Sequence, residues 1–279
     1  MIILVVVCHP DDEALWLGAT LTGSRDLIDV EFRVVCLSGV DSTSQRSEEF
    51  QKARDFAGYA SGRVVGGPLR AASTPLPDMA PLIESVLVDD HLAAERIGLV
   101  ISHSPFGDEH RHPHHRQAYG EVRAWAHSHK LSFAFFSPIC IPAGKLKPML
   151  KSLPHSTHLH VTQIAECKFG LLARVKYWTW TRKFHTPKFL IQILGSGHLK
   201  SQMLHHYQSI NLMEHIEGYA AFTSPLESLY FEDRRGFQLM VSHLEQLPIP
   251  GPQPLFRSLN QLISAKTRGF SRGSNANGS

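Results

Sequence analysis

Two short segments of the chain concentrate groups that bind metal ions and move protons. His9-Pro10-Asp11-Asp12-Glu13 places four ionisable residues within five, directly behind the continuous apolar run Ile2–Cys8. At the end of a buried strand such a cluster is costly unless a cation or solvent compensates it. With a helix starting near Asp12, His9 and Asp12 stand three apart and can converge on one point above the strand. Pro10 fixes a torsion of the intervening turn and narrows that geometry. Helix capping by Asp11 or Asp12, with Glu13 favouring the helix dipole, is the plainer alternative. It accounts for the acids but not for the histidine beside them.

The second segment is His112-Pro113-His114-His115, behind Gly107-Asp108-Glu109-His110-Arg111. Pro113 suits a first helical turn, and His112 and His115, again three apart, then face the same side. His110 and His114 read as surface histidines. One imidazole from each segment plus one carboxylate makes a set of two histidines and one aspartate. Such a set leaves positions for water and substrate, as a catalytic zinc requires and a structural zinc does not. Asp11, beside the ligand Asp12, can take a proton from metal-bound water. His112 can stabilise an oxyanion when protonated, or donate to a leaving amine. The chemistry is metal-assisted hydrolysis of an acyl bond, most naturally an amide.

The elements around these segments place them. Strands are expected at Ile2–Cys8, Val30–Leu37, Arg63–Val65, Ile97–Ser102 and Ser132–Ser137. Helices are expected from Glu13 to about Gly23, over Gln45–Tyr59, near Pro81–Ala94 and over Pro113–Ser128. This alternation predicts an α/β, Rossmann-like, doubly wound and mostly parallel sheet, ordered 3-2-1-4-5 in its first half. Ligands of such sheets bind beyond the C-terminal strand ends where the winding reverses, here strands one and four. The loops leaving those strands are His9–Glu13 and His103–His115.

The second half suggests strands at Ala173–Thr181 and Lys188–Leu194 and a helix of about His198–His215. A short apolar run Ser228–Phe231 and an amphipathic stretch near Phe237–Leu247 follow. These are expected to extend one domain, residues 1–265, as a C-terminal extension (139–265) on the core (1–138) that completes the pocket. The remainder, 266–279, is rich in Arg, Gly, Ser and Asn and reads as a disordered tail.

Composition narrows the partners. Across 279 residues, 28 Lys+Arg against 25 Asp+Glu leave a net charge of +3, which argues for neither nucleic acid nor an anionic membrane. No apolar run approaches the roughly 20 residues of a membrane span. Ile2–Cys8 lacks the basic flank of a signal peptide, so a cytoplasmic location is expected. The cysteines, Cys8, Cys36, Cys140 and Cys167, form no CxxC pair and sit in apolar stretches as core residues.

VVVCHPDDEALWLGATL and GDEHRHPHH resemble the two signature segments of the GlcNAc-phosphatidylinositol de-N-acetylase (LmbE-like) family. The resemblance extends to Arg46 with Glu49, and faintly to Lys200 and Tyr207-Gln208-Ser209; it covers about the first 130 residues well. It implies a zinc-dependent deacetylase of N-acetylglucosamine units, with His9, Asp12 and His115 as metal ligands, Asp11 as general base and His112 stabilising the transition state. His114 departs from the Asp or Asn that many relatives carry there, which touches only the metal's surroundings.

Arg46 is the leading candidate for binding substrate oxygen, against a solvated arginine paired with Glu49; Arg70 and Asp108 are weaker ones. Trp178 and Trp180 suit core packing better than sugar stacking. A non-haem iron oxygenase would use similar ligands but leaves Asp11 without a role. HPDDE in place of GxGxxG argues against a dinucleotide. The expected substrate is a soluble N-acetylated amino sugar or its glycoside. An amidase of a larger sugar-linked amide, or a metal- or carbohydrate-binding protein without turnover, are the alternatives.

Overall fold

The computed structural model describes residues 1–27, 29–39, 45–68, 70–105, 112–136, 160–166, 187–209 and 226–244. The expected strand Ala173–Thr181, both of its tryptophans, Cys140, Cys167, Asp108, His110 and the tail 266–279 lie outside these residues.

Strands β1 (Ile2–Val7), β2 (Glu31–Cys36), β3 (Ser61–Val64), β4 (Ile97–Ser102) and β5 (Ser132–Phe136) alternate with helices. The helices are α1 (Asp12–Gly23), α2 (Gln45–Ala57), α3 (Met79–Asp89) and α4 (Pro113–Ser128). The second half supplies β6 (His160–Glu166), β7 (Phe189–Leu194), helix α5 (Gly197–Leu204), β8 (Leu226–Phe231) and helix α6 (Arg234–Leu244). All the described strands join one sheet in the order β3-β2-β1-β4-β5-β8-β7-β6. Pairing is parallel from β3 to β5 and antiparallel from β5 to β6. The expected 3-2-1-4-5 order is therefore present, and β8, β7 and β6 continue the same sheet in alternating directions.

β1 is apolar throughout because helices cover both its faces. Ile3, Val5 and Val7 pack with Leu17 and Leu21 of α1, Phe50 of α2 and Phe237 of α6. Ile2, Leu4, Val6 and Cys8 pack on the other face with Ile83 and Val86 of α3 and Ala118 and Val122 of α4. No helix among the described residues is long and apolar enough to cross a membrane.

Several boundaries differ from expectation. α3 runs Met79–Asp89 rather than Pro81–Ala94, because Asp78 caps its start by accepting the Ala80 N–H. α5 ends at Leu204, well short of His215, and the chain turns so that Tyr207 N–H meets the Leu204 carbonyl at 3.1 Å. α6 begins at Arg234 rather than near Phe237, where Asp233 accepts the Gly236 N–H at 2.7 Å. Gly236 also packs so closely on β5 that a Cβ there would lie 2.7 Å from Ser132 Cβ.

Candidate metal centre

The turn between β1 and α1 has an unusual backbone. Asp11 sits at φ 138°, a conformation few non-glycine residues adopt and one that stores about 1–3 kcal/mol of strain. Capping does not explain this turn. Asp11 occupies the N-cap position without a side-chain cap hydrogen bond. The Asp12 carboxylate turns back to accept the His9 main-chain N–H at 2.8 Å. Glu13 is not a solvated helix-end acid either: it is fully buried, accepts the Asp11 N–H at 3.2 Å and receives the Tyr207 hydroxyl.

α4 brings the second histidine segment over this turn. His9 Nδ1 lies 3.3 Å from Asp12 Oδ2, and His115 Nε2 lies 3.3 Å from Asp12 Oδ1. His115 Nε2 and His9 Nδ1 are 3.2 Å apart. Donors bonded at about 2.0–2.1 Å around a tetrahedral zinc stand roughly 3.3–3.4 Å from one another. The two imidazoles and the carboxylate are of the type that holds a first-row metal ion; the histidine nitrogens have that spacing from each other, and each faces its own oxygen of Asp12. His112, at the N-cap of α4, places its ring centroid 5.0 Å from that of His9 and 4.7 Å from that of His115. The ligand atoms of His9, His112 and His115 lie within 4.8 Å of one another, as do those of Cys8, His103 and His115. His103 Nε2 already accepts the Cys8 main-chain N–H at 3.0 Å, which makes the second group the poorer host.

His114 is not on the surface. It is 1% exposed, with Nε2 2.8 Å from the Thr74 carbonyl and Nδ1 3.1 Å from His9 Nε2. A carbonyl only accepts, so Nε2 carries the proton and Nδ1 accepts from His9 Nε2–H. That leaves His9 Nδ1 as a lone pair facing Asp12 and His115. The loop bearing Thr74 is held in turn by α4: Gln117 bonds both main-chain groups of Leu76 at 2.9 Å, and Glu121 accepts the Met79 N–H at 3.0 Å.

The acids differ electrostatically. Burial, reinforced by the charges of Asp12 and Glu13, raises Asp11 well above the usual carboxylate range, and nearby Arg46 opposes the shift. Burial alone would raise Asp12, but the imidazoles of His115 and His103 outweigh it and hold Asp12 well below that range. Burial pushes Glu13 up to about 7 against the Tyr207 hydrogen bond, and pushes His103 down to about 4.

Arg46, at the start of α2, is half-buried and near enough for its charge to act on Asp11. Glu49 is engaged elsewhere, accepting the Ser209 N–H at 2.8 Å and the Gln45 side-chain amide at 3.2 Å. Arg70 is exposed and bonds the Pro75 carbonyl at 3.3 Å, within its own loop. Sequence reasoning gave His103 no role, read Glu13 only as an acid favouring the helix dipole, and met Tyr207 only in the faint part of the resemblance. For His103 the available signal was its position, first after the strand at which the winding reverses.

No family model matches the chain, and no curated protein matches it in sequence. Among solved structures it is similar to a deacetylase triple mutant involved in the teicoplanin biosynthetic pathway. That likeness is 14% identity over 83% of this chain and 97% of that one, with a TM-score of 0.42. It is also similar to N,N′-diacetylchitobiose deacetylase from Pyrococcus horikoshii, at 16% identity over 78% of this chain and 74% of that one, TM-score 0.45. A third likeness is to the 4-carboxy-2-hydroxymuconate hydratase GalB from Pseudomonas putida, at 15% identity over 82% and 95%, TM-score 0.38. A likeness of this degree carries no argument about the reaction, which has to come from the residues themselves.

Proposed function

We propose that this protein is a metal-dependent amide hydrolase that removes the acetyl group from an N-acetylglucosamine-type sugar in a soluble small molecule or glycoside. The observation that carries the reading is the convergence of His9 Nδ1 and His115 Nε2, 3.2 Å apart, on the Asp12 carboxylate, each 3.3 Å from a different one of its oxygens, beside a strained Asp11. The sugar substrate comes from the resemblance of the HPDDE and HPHH segments to the LmbE-like deacetylases.

His9, Asp12 and His115 would hold the ion, with zinc the first expectation. When bound, a zinc ion lowers the pKa of a coordinated water and polarises a carbonyl. Asp11 acts as general base, taking the proton of the attacking water. It is adjacent to Asp12 in the chain, at the strained φ of 138°. Water adds to the amide carbon, the C–N bond breaks, and Asp11 returns its proton to the leaving amine. The products are acetate and the free amino sugar. His112, at the N-cap of α4, donates to the oxygen that gains charge as the carbon becomes tetrahedral. Arg46 binds substrate oxygen from the α2 side, and Asp108 is a further candidate contact.

The test is amine release from a panel of N-acetylglucosamine compounds, among them N,N′-diacetylchitobiose, by metal-stripped protein with and without added Zn²⁺. Zinc-dependent release supports the deacetylase. Release only from larger sugar-linked amides would make it an amidase. Metal binding without any release would make it a binding protein.

A further inference from the structure

Next to the proposed ligand set lies another imidazole, that of His103, the first residue after β4 and 1% exposed. Its Nε2 accepts the Cys8 main-chain N–H at 3.0 Å. A main-chain N–H can only donate, so this nitrogen accepts from Cys8, and it also lies 3.4 Å from Asp12 Oδ2. The same bond ties the end of β4 to the end of β1, one residue before His9.

The ring of His103 lies flat on that of His115, with centroids 4.0 Å apart and planes inclined by 12°. Phe136, at the end of β5, meets the His103 ring edge-on at 4.9 Å. His115 must aim Nε2 at the point it shares with Asp12 Oδ1 and His9 Nδ1. Rotation of the His115 ring about its last torsion would swing Nε2 away from both. Aromatic χ2 torsions are broad, so the backbone alone does not fix that plane. A parallel ring at van der Waals distance does, because turning against it brings atoms into contact and loses the stack.

We propose that His103 is a positioning residue for metal binding: anchored on the Cys8 N–H, it holds the plane of the His115 imidazole and so preforms the ligand set. This rests on the reading of His9, Asp12 and His115 as ligands. Groups that orient metal ligands typically govern about 10–100-fold in affinity.

The experiment compares wild type with His103→Phe, His103→Asn and His103→Ala. It reads Zn²⁺ affinity by competition with a chromophoric chelator, the visible spectrum of the Co²⁺ form, and thermal unfolding of the metal-free proteins. Phenylalanine keeps a ring over His115 but cannot accept from Cys8, whereas asparagine can accept but offers no ring. The expected result is a loss of about 10–100-fold in Zn²⁺ affinity for the Ala and Asn variants, with an altered Co²⁺ spectrum. The Phe variant is expected to bind near the wild-type level, although losing the Cys8 acceptor lowers its unfolding temperature. Asparagine rescuing as well as phenylalanine, or an Ala variant that binds like wild type, overturns the proposal. A wild-type protein that binds neither ion overturns the ligand set itself, and the proposal with it.

Discussion

Lys200 and Glu227 form a buried ion pair, Nζ to Oε1 at 2.9 Å, between α5 and β8. The same carboxylate accepts the main-chain N–H groups of Ala19 and Thr20 at 2.8 Å each, and the Thr20 hydroxyl at 2.6 Å. Those amides belong to the interior of α1, the helix whose first turn carries Asp12. A carboxylate from the second half of the chain is thus built into the helix that presents the candidate site. Lys200→Met would leave Glu227 buried without its counter-ion, at a cost of about 3–5 kcal/mol. Urea unfolding measures this, and a loss under about 1 kcal/mol would show that the joint carries little of the fold.

Asp90, just past α3, ties that helix to β2 and β3. Arg33 and Arg63 reach its carboxylate at 3.1 and 2.7 Å, and the Ser61 hydroxyl at 2.7 Å. Burial alone would raise its pKa, but the hydrogen bonds from Ser61 and Arg63 and the two arginine charges outweigh it and lower it. A depressed carboxylate contributes stability above its unfolded pKa of about 3.9 and loses it as pH falls through the folded value. Asp90→Asn is expected to cost about 1–2 kcal/mol at neutral pH, with the gap from wild type closing below about pH 4. Unfolding curves at pH 7 and pH 3 check this; an equal gap at both would contradict it.

Asp11→Asn separates a hydrolase from a binding protein. As general base Asp11 contributes about 10²–10⁴-fold, so amine release should fall by that factor while bound zinc stays at the wild-type level. Turnover that persists in this variant removes Asp11 from the mechanism.

Tyr207 reaches back 194 residues to bond Glu13, whose other oxygen accepts the Asp11 N–H in the strained turn. Tyr207→Phe keeps the ring and deletes that bond. It should cost about 1–3 kcal/mol of stability, since a buried carboxyl loses a partner. A fall in kcat of about tenfold at unchanged KM is expected with it. A variant with wild-type kcat would mean that the turn holds itself.

The parallel half of the sheet was legible because its strands are continuous apolar runs separated by helical segments, a pattern that admits few topologies. The convergence of His9, Asp12 and His115 was legible for a related reason. A loop dense in ionisable residues follows each strand at the winding reversal, and three-residue spacing on a helix start gathers each set. What stayed hidden depends on distant partners. His114 looks like a surface residue until Thr74, 40 positions earlier, supplies a carbonyl. His103 acquires its partner from Cys8, 95 positions away. Glu13 reads as a helix-dipole acid because nothing near it in sequence announces Tyr207. β6 (HVTQIAE) mixes polar and apolar residues without a clean period, so only its pairing with β7 makes it a strand. Asp108 and the domain limits at 138 and 265 fall outside the described residues.

The most direct test of the central claim is zinc-dependent amine release by wild type beside His9→Ala, Asp12→Ala and His115→Ala, each metal-stripped and reloaded, with bound zinc quantified. The account predicts about one zinc per wild-type chain and release that returns only on reloading, with all three variants losing both zinc and activity. Wild-type release that survives complete metal removal, or variants that keep tight zinc and full activity, would contradict it.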